Sequence, residues 1–308
     1  MLANRYTTTE LVNSIRRTGH MPASQTLYSA ADLLAIGDFE LETALLRQIL
    51  SVRENYYLTF EEFEMRDDCT YPIPTRAIGG GLLKVQLFSG TSIMEIYRSE
   101  ISEQFSTVAS PSGDFSFIIV GNNIVLRPNP QTGTLRLWFL MKPNAMVETS
   151  AAAQISAIDT GTNIVTVSSL PTTFTTATDM DFIQNQPHFD WLDINIAPTN
   201  ISGFDLTFSE LPPTLAVGDW IALAGQTPVP QIPVEFRALL TQRVVVKYYE
   251  GQGYLEKMKA AEMKLQQMEK DLFSLINPRI SEEPKRIVAN SSIIGGFNRW
   301  RSWTSRDS

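Results

Sequence analysis

Apolar residues at helical spacing open the chain. Thr7 and Glu10 have the form of a capping box, in which the threonine hydroxyl accepts a free backbone amide and the glutamate reaches back, and the apolar positions that follow predict a short helix ending at Gly19. Ser29, followed three residues later by an aspartate, opens a second and longer apolar stripe. We expect this second helix to run to about Arg53.

The pattern then changes from helical to alternating. Pro72 and Pro74 favour extended backbone, the three glycines at 79–81 predict a turn, and apolar residues alternate with polar ones from 83 to 87. A turn at 121–123 lies between two short apolar runs and predicts a hairpin. A further strand is expected at 135–140, so the first helices lead into a small antiparallel sheet.

Residues 147–230 differ from what precedes them. The segment is rich in Thr, Ser and Asp, nearly free of Lys and Arg, and carries short β-branched runs at 164–167 and 220–223 between Gly and Pro turns. This composition predicts an inserted β domain of sandwich-like or barrel-like form.

Helical spacing returns after residue 230. Two helices are predicted, over 234–249 and 254–276, with a break at Gly251 and Gly253. The second has a heptad-like seam, which is either the core of a helical hairpin packed on the helix from Ser29 or an oligomer interface; we favour the core. The seam consists of Met258, Leu265, Met268, Leu272 and Leu275.

The end of the chain is cationic and aromatic, whereas the chain as a whole has a formal charge of −8. A solubilising tail would carry fewer apolar side chains, so we interpret 284–308 as an extended arm that orders on a partner protein. Aromatic and arginine side chains are typical interface anchors. The predicted docking residues of this arm are Lys285, Arg286, Phe297, Arg299, Trp300, Arg301 and Trp303.

Together these patterns predict an α+β fold. Its expected parts are a connector core formed by 1–146 (helices plus a small antiparallel sheet) and 231–283 (helices), an inserted β domain at 147–230, and an extended arm at 284–308. An acidic chain is not suited to gripping nucleic acid along its length. The longest apolar runs are too short to span a bilayer, and the first residues lack the pattern of a secretory signal, so we expect assembly in the cytoplasm.

Few residues indicate chemistry. The chain has two histidines and one cysteine, too few for a histidine or cysteine metal cluster, and we expect no metal, no cofactor and no catalytic residue. The glycines at 79–81 lack the offset glycine of a dinucleotide site. Asp179 and Asp181 are interpreted as a solvated loop rather than a metal-binding pair, and His188 as a structural histidine rather than a base.

Two stretches resemble a known family. The run 33–58 with the string 71–80 looks like the first half of the head-to-tail connector, or adaptor, proteins of tailed bacteriophages, and the strings 230–246 and 265–284 are similar to their closing half. The resemblance covers most of the chain and consists of structural residues. The Thr-rich block departs from the smallest family members, which are mainly helical.

The resemblance implies a structural virion protein. It would form a homo-oligomeric ring of about twelve copies in the phage neck, docked on the portal protein, joined to a tail or nozzle protein, and traversed by double-stranded DNA during genome ejection. Two alternatives stay open. One is a carbohydrate-binding protein using Phe182, Phe189, Trp191 and Trp220, and the other is a hydrolase using Asp190, Asp193 or Asp205.

Overall fold

The structure has a mixed α and β architecture, with one helical layer and two large sheets. It is a computed structural model that describes residues 6–22, 27–90, 92–99, 115–127, 132–185 and 191–276. The predicted arm at 284–308 lies outside these residues. The helices are α1 (Thr8–Thr18), α2 (Ala30–Glu40), α3 (Leu46–Val52), α4 (Arg237–Gly251) and α5 (Leu255–Ile276).

A local side-chain cap is present at the start of α2 and absent at the start of α1. At α2 the Ser29 hydroxyl accepts the Asp32 amide and the Asp32 carboxylate accepts the Ser29 amide, which confirms the predicted cap. At α1 the Thr7 side chain makes no such bond, so the predicted capping box is wrong. Its neighbour Thr8 instead donates from Oγ1 to the Val147 carbonyl at 2.6 Å, a tertiary contact that places the start of α1.

The first sheet contains more strands than the sequence predicts. Its order is β1-β7-β3-β4-β5-β6-β2, antiparallel except for β4 beside β5. The strands β1 and β4 are not predicted from the sequence, since β1 carries three glutamates among seven residues. The bounds are β1 Leu58–Glu64, β2 Thr70–Pro72, β3 Ala77–Ser89, β4 Ser92–Arg98, β5 Ser116–Val120, β6 Asn123–Arg127 and β7 Thr134–Met141.

The three glycines at 79–81 lie inside β3 rather than in a turn before it. Gly79 and Gly80 have φ of 61° and 64°, a region that side chains with a Cβ rarely adopt. The register against β7 shifts between Ala77 and Leu82, so the glycines form a bulge. Alternation from 83 onward is therefore the second half of one long bent strand.

The second sheet is formed entirely by the middle of the chain. Its order is β12-β11-β15-β9-β10-β14-β13, and its core holds Phe182, Leu206 and Ile221, each with no exposed area. The bounds are β9 Ala153–Asp159, β10 Ile164–Val167, β11 Met180–Ile183, β12 Trp191–Ile196, β13 Asn200–Ser202, β14 Asp205–Thr207 and β15 Trp220–Leu223.

A short parallel pair joins the two ends of this middle segment. β8 (Ala145–Met146) lies beside β16 (Gln226–Thr227), and Thr8 binds both sides, since its amide donates to the Pro228 carbonyl at 2.8 Å and its hydroxyl to Val147. β8 and β16 therefore form a separate pair beside the second sheet, and the chain next to them is bonded to the start of α1.

The predicted seam lies on the inner side of α5. Met258, Leu265 and Met268 are half-buried and Leu272 is buried against the helical core, while the side chain of Leu275 lies outside the described residues. The helix packs chiefly along α4, rather than along the helix from Ser29. Arg243 of α4 binds Glu40 and Glu269, which links α2, α4 and α5 through one guanidinium.

The adjacent ends of the middle segment lead to a deletion test. Neighbouring strands lie about 4.8 Å apart, so a Gly/Ser linker of roughly six residues in place of 149–224 should preserve the helical layer and the first sheet. We expect cooperative thermal unfolding, followed by circular dichroism, with a lowered Tm. A matched variant adds Arg76→Met, because the deletion removes the buried partner of Arg76, and should melt higher. Non-cooperative melting of both variants would contradict this expectation.

Candidate functional site

A buried polar cluster lies where the three layers meet, and we call it the junction. It joins the turn before β3, the chain around β8, and the strands β11 and β12 of the second sheet. Its members are Arg76, Asn144, Asp181, Trp191, Asn195 and Gln231.

Asp181 is the centre of the junction, and its side chain has no exposed area. Its two oxygens accept from Arg76 Nη1 at 3.1 Å and Nη2 at 2.8 Å, a two-pronged pair of the kind that guanidinium and carboxylate groups favour. They also accept from Asn144 Nδ2 at 2.7 Å, the Gly225 amide at 3.0 Å and the Asn195 amide at 3.1 Å. Five donors thus compensate the desolvation of one buried carboxylate.

Asn144 connects this carboxylate to the rest of the molecule. Its amide nitrogen also donates to the Gln226 carbonyl at 3.0 Å, and its side-chain oxygen accepts from Arg76 and from the Trp191 indole. Its backbone amide donates to Gln231 Oε1 at 2.6 Å. The bonds therefore run without a gap from Arg76 through Asp181 and Asn144 to Gln231, whose own Nε2 is buried without a hydrogen-bond partner among the described residues.

Trp191 and Tyr57 supply the apolar side of the junction. Trp191 is half-buried and packs against three core clusters, those of the helices, of the first sheet and of the base of the second sheet. Its ring centroid lies 6.3 Å from that of Tyr57, whose hydroxyl donates to the Gln231 carbonyl at 2.7 Å. The indole therefore spans layers that the hydrogen bonds also connect.

This arrangement fixes orientation rather than performing a reaction. Both carboxylate oxygens of Asp181 already accept hydrogen bonds from the protein, and Arg76 is only 17% exposed. A proton carrier or metal ligand needs an open coordination or hydrogen-bonding position. The chemistry of the junction is that of a rigid brace between sheets and helices.

The junction corrects the interpretation of the acidic pair at 179 and 181. Asp179 is exposed as predicted, but Asp181 is fully buried rather than part of a solvated loop. The available signal was the apolar run around it, since Met180 and Phe182 point into the sheet core and place Asp181 on the opposite side of the strand. Arg76 and Asn144 carry no comparable signal, because their partner is distant in sequence.

A second carboxylate, that of Asp38, links α2 to the strand β8. Asp38 accepts the Met146 amide with both oxygens at 3.0 Å. Burial raises the pKa of Asp38 to about 7, against an ordinary value of 3.8, with a smaller upward contribution from Glu42 and opposition from the Met146 amide and Lys142. Burial in the folded protein therefore opposes ionisation of the Asp38 carboxyl group at neutral pH.

The residues of the two alternative functions are distributed unfavourably for those roles. Phe182 is fully buried and Trp220 is 8% exposed, so neither offers a platform to a sugar. Asp205 accepts the Thr166 hydroxyl at 2.6 Å on β14, one strand in from the edge of the second sheet, while burial raises the pKa of Asp193 on β12, the edge strand at the opposite side of that sheet. Phe189, Asp190 and His188 lie outside the described residues, as do the seven predicted docking residues of the arm.

Removing the charge of Asp181 tests the brace. In Asp181→Asn the new amide would face the donors of Arg76 and Asn144, leaving a buried guanidinium without its counter-charge. We expect a loss of about 3 kcal/mol or more in urea unfolding. Asp179→Asn is the matched control, exposed and two residues away, and should change stability by less than about 0.5 kcal/mol. Equal small losses in both variants would show that the junction does not brace the fold.

Asp38 gives the fold a predictable pH dependence. Because its folded pKa lies above its unfolded pKa, its contribution to stability is greatest below pH 3.8, declines as the pH rises to about 7, and stays reduced above that. Asp38→Asn should therefore raise Tm at pH 8 and change it little at pH 4.

Asp32→Asn is the comparison of opposite sign. Hydrogen bonds from Ser29 hold the pKa of Asp32 below its ordinary value, so this variant should lower Tm at pH 8. A pH-independent effect of Asp38→Asn would contradict the burial of its charge.

Across the described ranges, no three or more His, Cys, Asp or Glu side chains come together in a way that could hold a metal ion. Within the same ranges, no helix combines the length and the apolar character needed to cross a membrane. No protein-family model and no curated protein sequence matches the chain.

Proposed function

We propose that this chain is a structural virion protein, a ring subunit of the neck of a tailed bacteriophage. It docks on the portal protein and joins the DNA-filled head to a tail or nozzle protein. In this role the chain is not an enzyme, and its side-chain chemistry serves assembly.

One observation carries the proposal, namely that the long helix α5 is followed along the sequence by a cationic and aromatic segment. The helix has 22 residues, packs chiefly on α4, and leads from Ile276 toward the segment 284–308. From 284 to 306 that segment has five cationic side chains and no carboxylate. A long helix that is followed in the sequence by an aromatic and cationic segment suits a subunit that binds its partner through that segment.

The junction supports the same role. A connector ring transmits force between a filled head and a tail, so the angle between its layers has to be fixed. In this chain a buried ion pair and the indole of Trp191 hold the helical layer and both sheets in one arrangement. The resemblance of 33–58 and 71–80 to adaptor proteins includes Arg76, the residue that begins this brace.

The net charge also fits passage of DNA. A formal charge of −8 gives the ring an overall field that repels phosphates, so double-stranded DNA moving through it during ejection does not adhere. A conduit gains from weak contact, whereas a DNA-binding protein needs a dense cationic surface.

The arm is tested by its effect on portal binding. Removal of 284–308 should abolish binding to the portal protein encoded with this chain, while the Tm of the free subunit stays within about 2 °C, as expected of a segment that orders only on its partner. Trp300→Ala and Trp303→Ala should each weaken binding by more than about 2 kcal/mol, as for anchors at an interface centre.

Arg306→Ala is the matched control, because a charge at the rim of an interface contributes little. Binding can be measured by calorimetry with the assembled portal. Intact portal binding after removal of 284–308 would refute the docking role of the arm, and unfolding of the shortened chain would place the segment in the core.

A further inference from the structure

Three neighbouring rows of residues on the outer face of the first sheet are rich in aromatic side chains, and none of the described helices packs on them. The helical layer reaches this sheet near Tyr57, Ile78 and Leu140, at one end only. Beyond that end, alternate residues of β1, β7, β3 and β4 point outward. We call these the aromatic face; its members are Phe60, Phe88, Ile93, Tyr97, Arg136 and Trp138, with Phe60 43%, Ile93 62% and Tyr97 70% exposed.

Arg136 stands at the centre of this face between two rings. Its guanidinium carbon lies 4.2 Å from the Phe60 centroid and 4.4 Å from that of Phe88, and its Nε donates to Glu62 at 2.8 Å. Trp138 packs 4.9 Å from Phe60 and donates from its indole to Gln86. These contacts hold the rings in fixed positions, so the face is ordered before anything binds to it.

The outward side of α5 has complementary chemistry. Lys259, Met263 and Lys270 are spaced by four and then seven residues along the helix, opposite the buried seam. Met263 is 66% exposed, and both lysines are exposed. Neither lysine takes part in an ion pair within the described ranges.

Two glutamates flank the aromatic face at the distance that separates these lysines. Glu64 on β1 and Glu95 on β4 are three strands and two residues apart, which corresponds to roughly 16 Å. Lys259 and Lys270 are eleven residues apart on a helix, which corresponds to roughly 16 Å as well. With Lys259 at Glu95 and Lys270 at Glu64, Met263 meets Phe88 and Ile93.

We propose that the aromatic face receives the outward side of α5 from a second copy of this chain. The contact joins two different surfaces. Each copy therefore presents its aromatic face to one neighbour and its α5 to the other, and such head-to-tail contacts can close into a ring. Met263 packs on aromatic rings, which a thioether favours, and the two lysine–glutamate pairs set the register. This inference rests on the proposed ring, for which it supplies the lateral contact.

The area of the aromatic face indicates that a single contact is weak. Four strands and three rows of residues cover roughly 300 Å² on the sheet side, whereas a stable interface buries about 800 Å² on each partner. A pair of free subunits therefore dissociates readily. Closure of the ring on a portal holds many such contacts together, and their combined strength is then much greater than that of one.

Charge reversal tests the register of the contact. Lys259→Glu with Lys270→Glu should weaken self-association of the full chain about tenfold or more in sedimentation equilibrium. Adding Glu64→Lys and Glu95→Lys to the same chain should restore it, since Glu95 gives up only an exposed pair with Lys84. Lys264→Glu, on the same helix but off the outward side, is the control. Unchanged association in the first variant, or no recovery in the second, would overturn the proposal.

Disulfide trapping tests which surfaces meet. One chain carrying Ile93→Cys and Met263→Cys should form a ladder of linked oligomers beyond the dimer at high protein concentration, whereas either single variant should give dimers at most. The native Cys69 is 5% exposed, and the unaltered chain provides the background. Absence of species beyond the dimer would overturn the contact.

The contact and the proposed function fail separately. A ladder together with no binding to the portal would retain the contact and refute the neck role. A normal portal-bound ring from the Lys259→Glu, Lys270→Glu chain would retain the neck role and refute the contact.

Discussion

The burial of the Asp181 carboxylate is the constraint on which the rest of the architecture depends. A charge without exposed area is tolerated only with a counter-charge and donors in place, and here those groups come from separate parts of the chain. Arg76 precedes β3, Asn144 precedes β8, and Gly225 lies in the turn between β15 and β16. Each layer must be correctly placed before the carboxylate is satisfied, so the pair ties local folding to one global arrangement.

From this arrangement follow the surfaces available for assembly. The junction fixes both sheets against the helices, and the ion pairs of Arg243 fix α4 and α5 within the helical layer. What is left exposed is then rigid, including the aromatic face of the first sheet and the outward side of α5. A ring subunit needs such surfaces at fixed angles, because a closed ring accumulates any angular error between neighbours.

The sequence predicts the helices better than the sheets, for physical reasons visible in particular residues. The cap at Ser29 and the apolar periodicity of α4 and α5 are local signals and are confirmed. The sequence does not predict β1, because Glu61, Glu62 and Glu64 interrupt its apolar pattern. β1 is an edge strand, and charged residues on edge strands commonly protect a sheet against pairing with another chain. The glycines at 79–81 are typical of a turn in the sequence alone, whereas the bulge that they form depends on the partner strand β7.

The junction was harder to predict than the elements that it joins. Asp181 and Arg76 are separated by 105 positions in the chain, so no periodicity connects them. A Thr-rich context made the aspartate look solvated, although its apolar neighbours Met180 and Phe182 indicated a buried strand. Likewise the Thr7 cap failed because Thr8 makes tertiary bonds to Val147 and Pro228, which decide where α1 begins.

The central claim is that this chain is a ring subunit that assembles on a portal. Electron microscopy of the full chain mixed with the portal protein encoded beside it tests that claim most directly, with the chain alone imaged at the same concentration. The proposed role predicts a closed ring of about twelve copies on the portal and dissociated subunits without it. Particles that stay separate from the portal, or a stable closed ring formed by the chain alone, would contradict it.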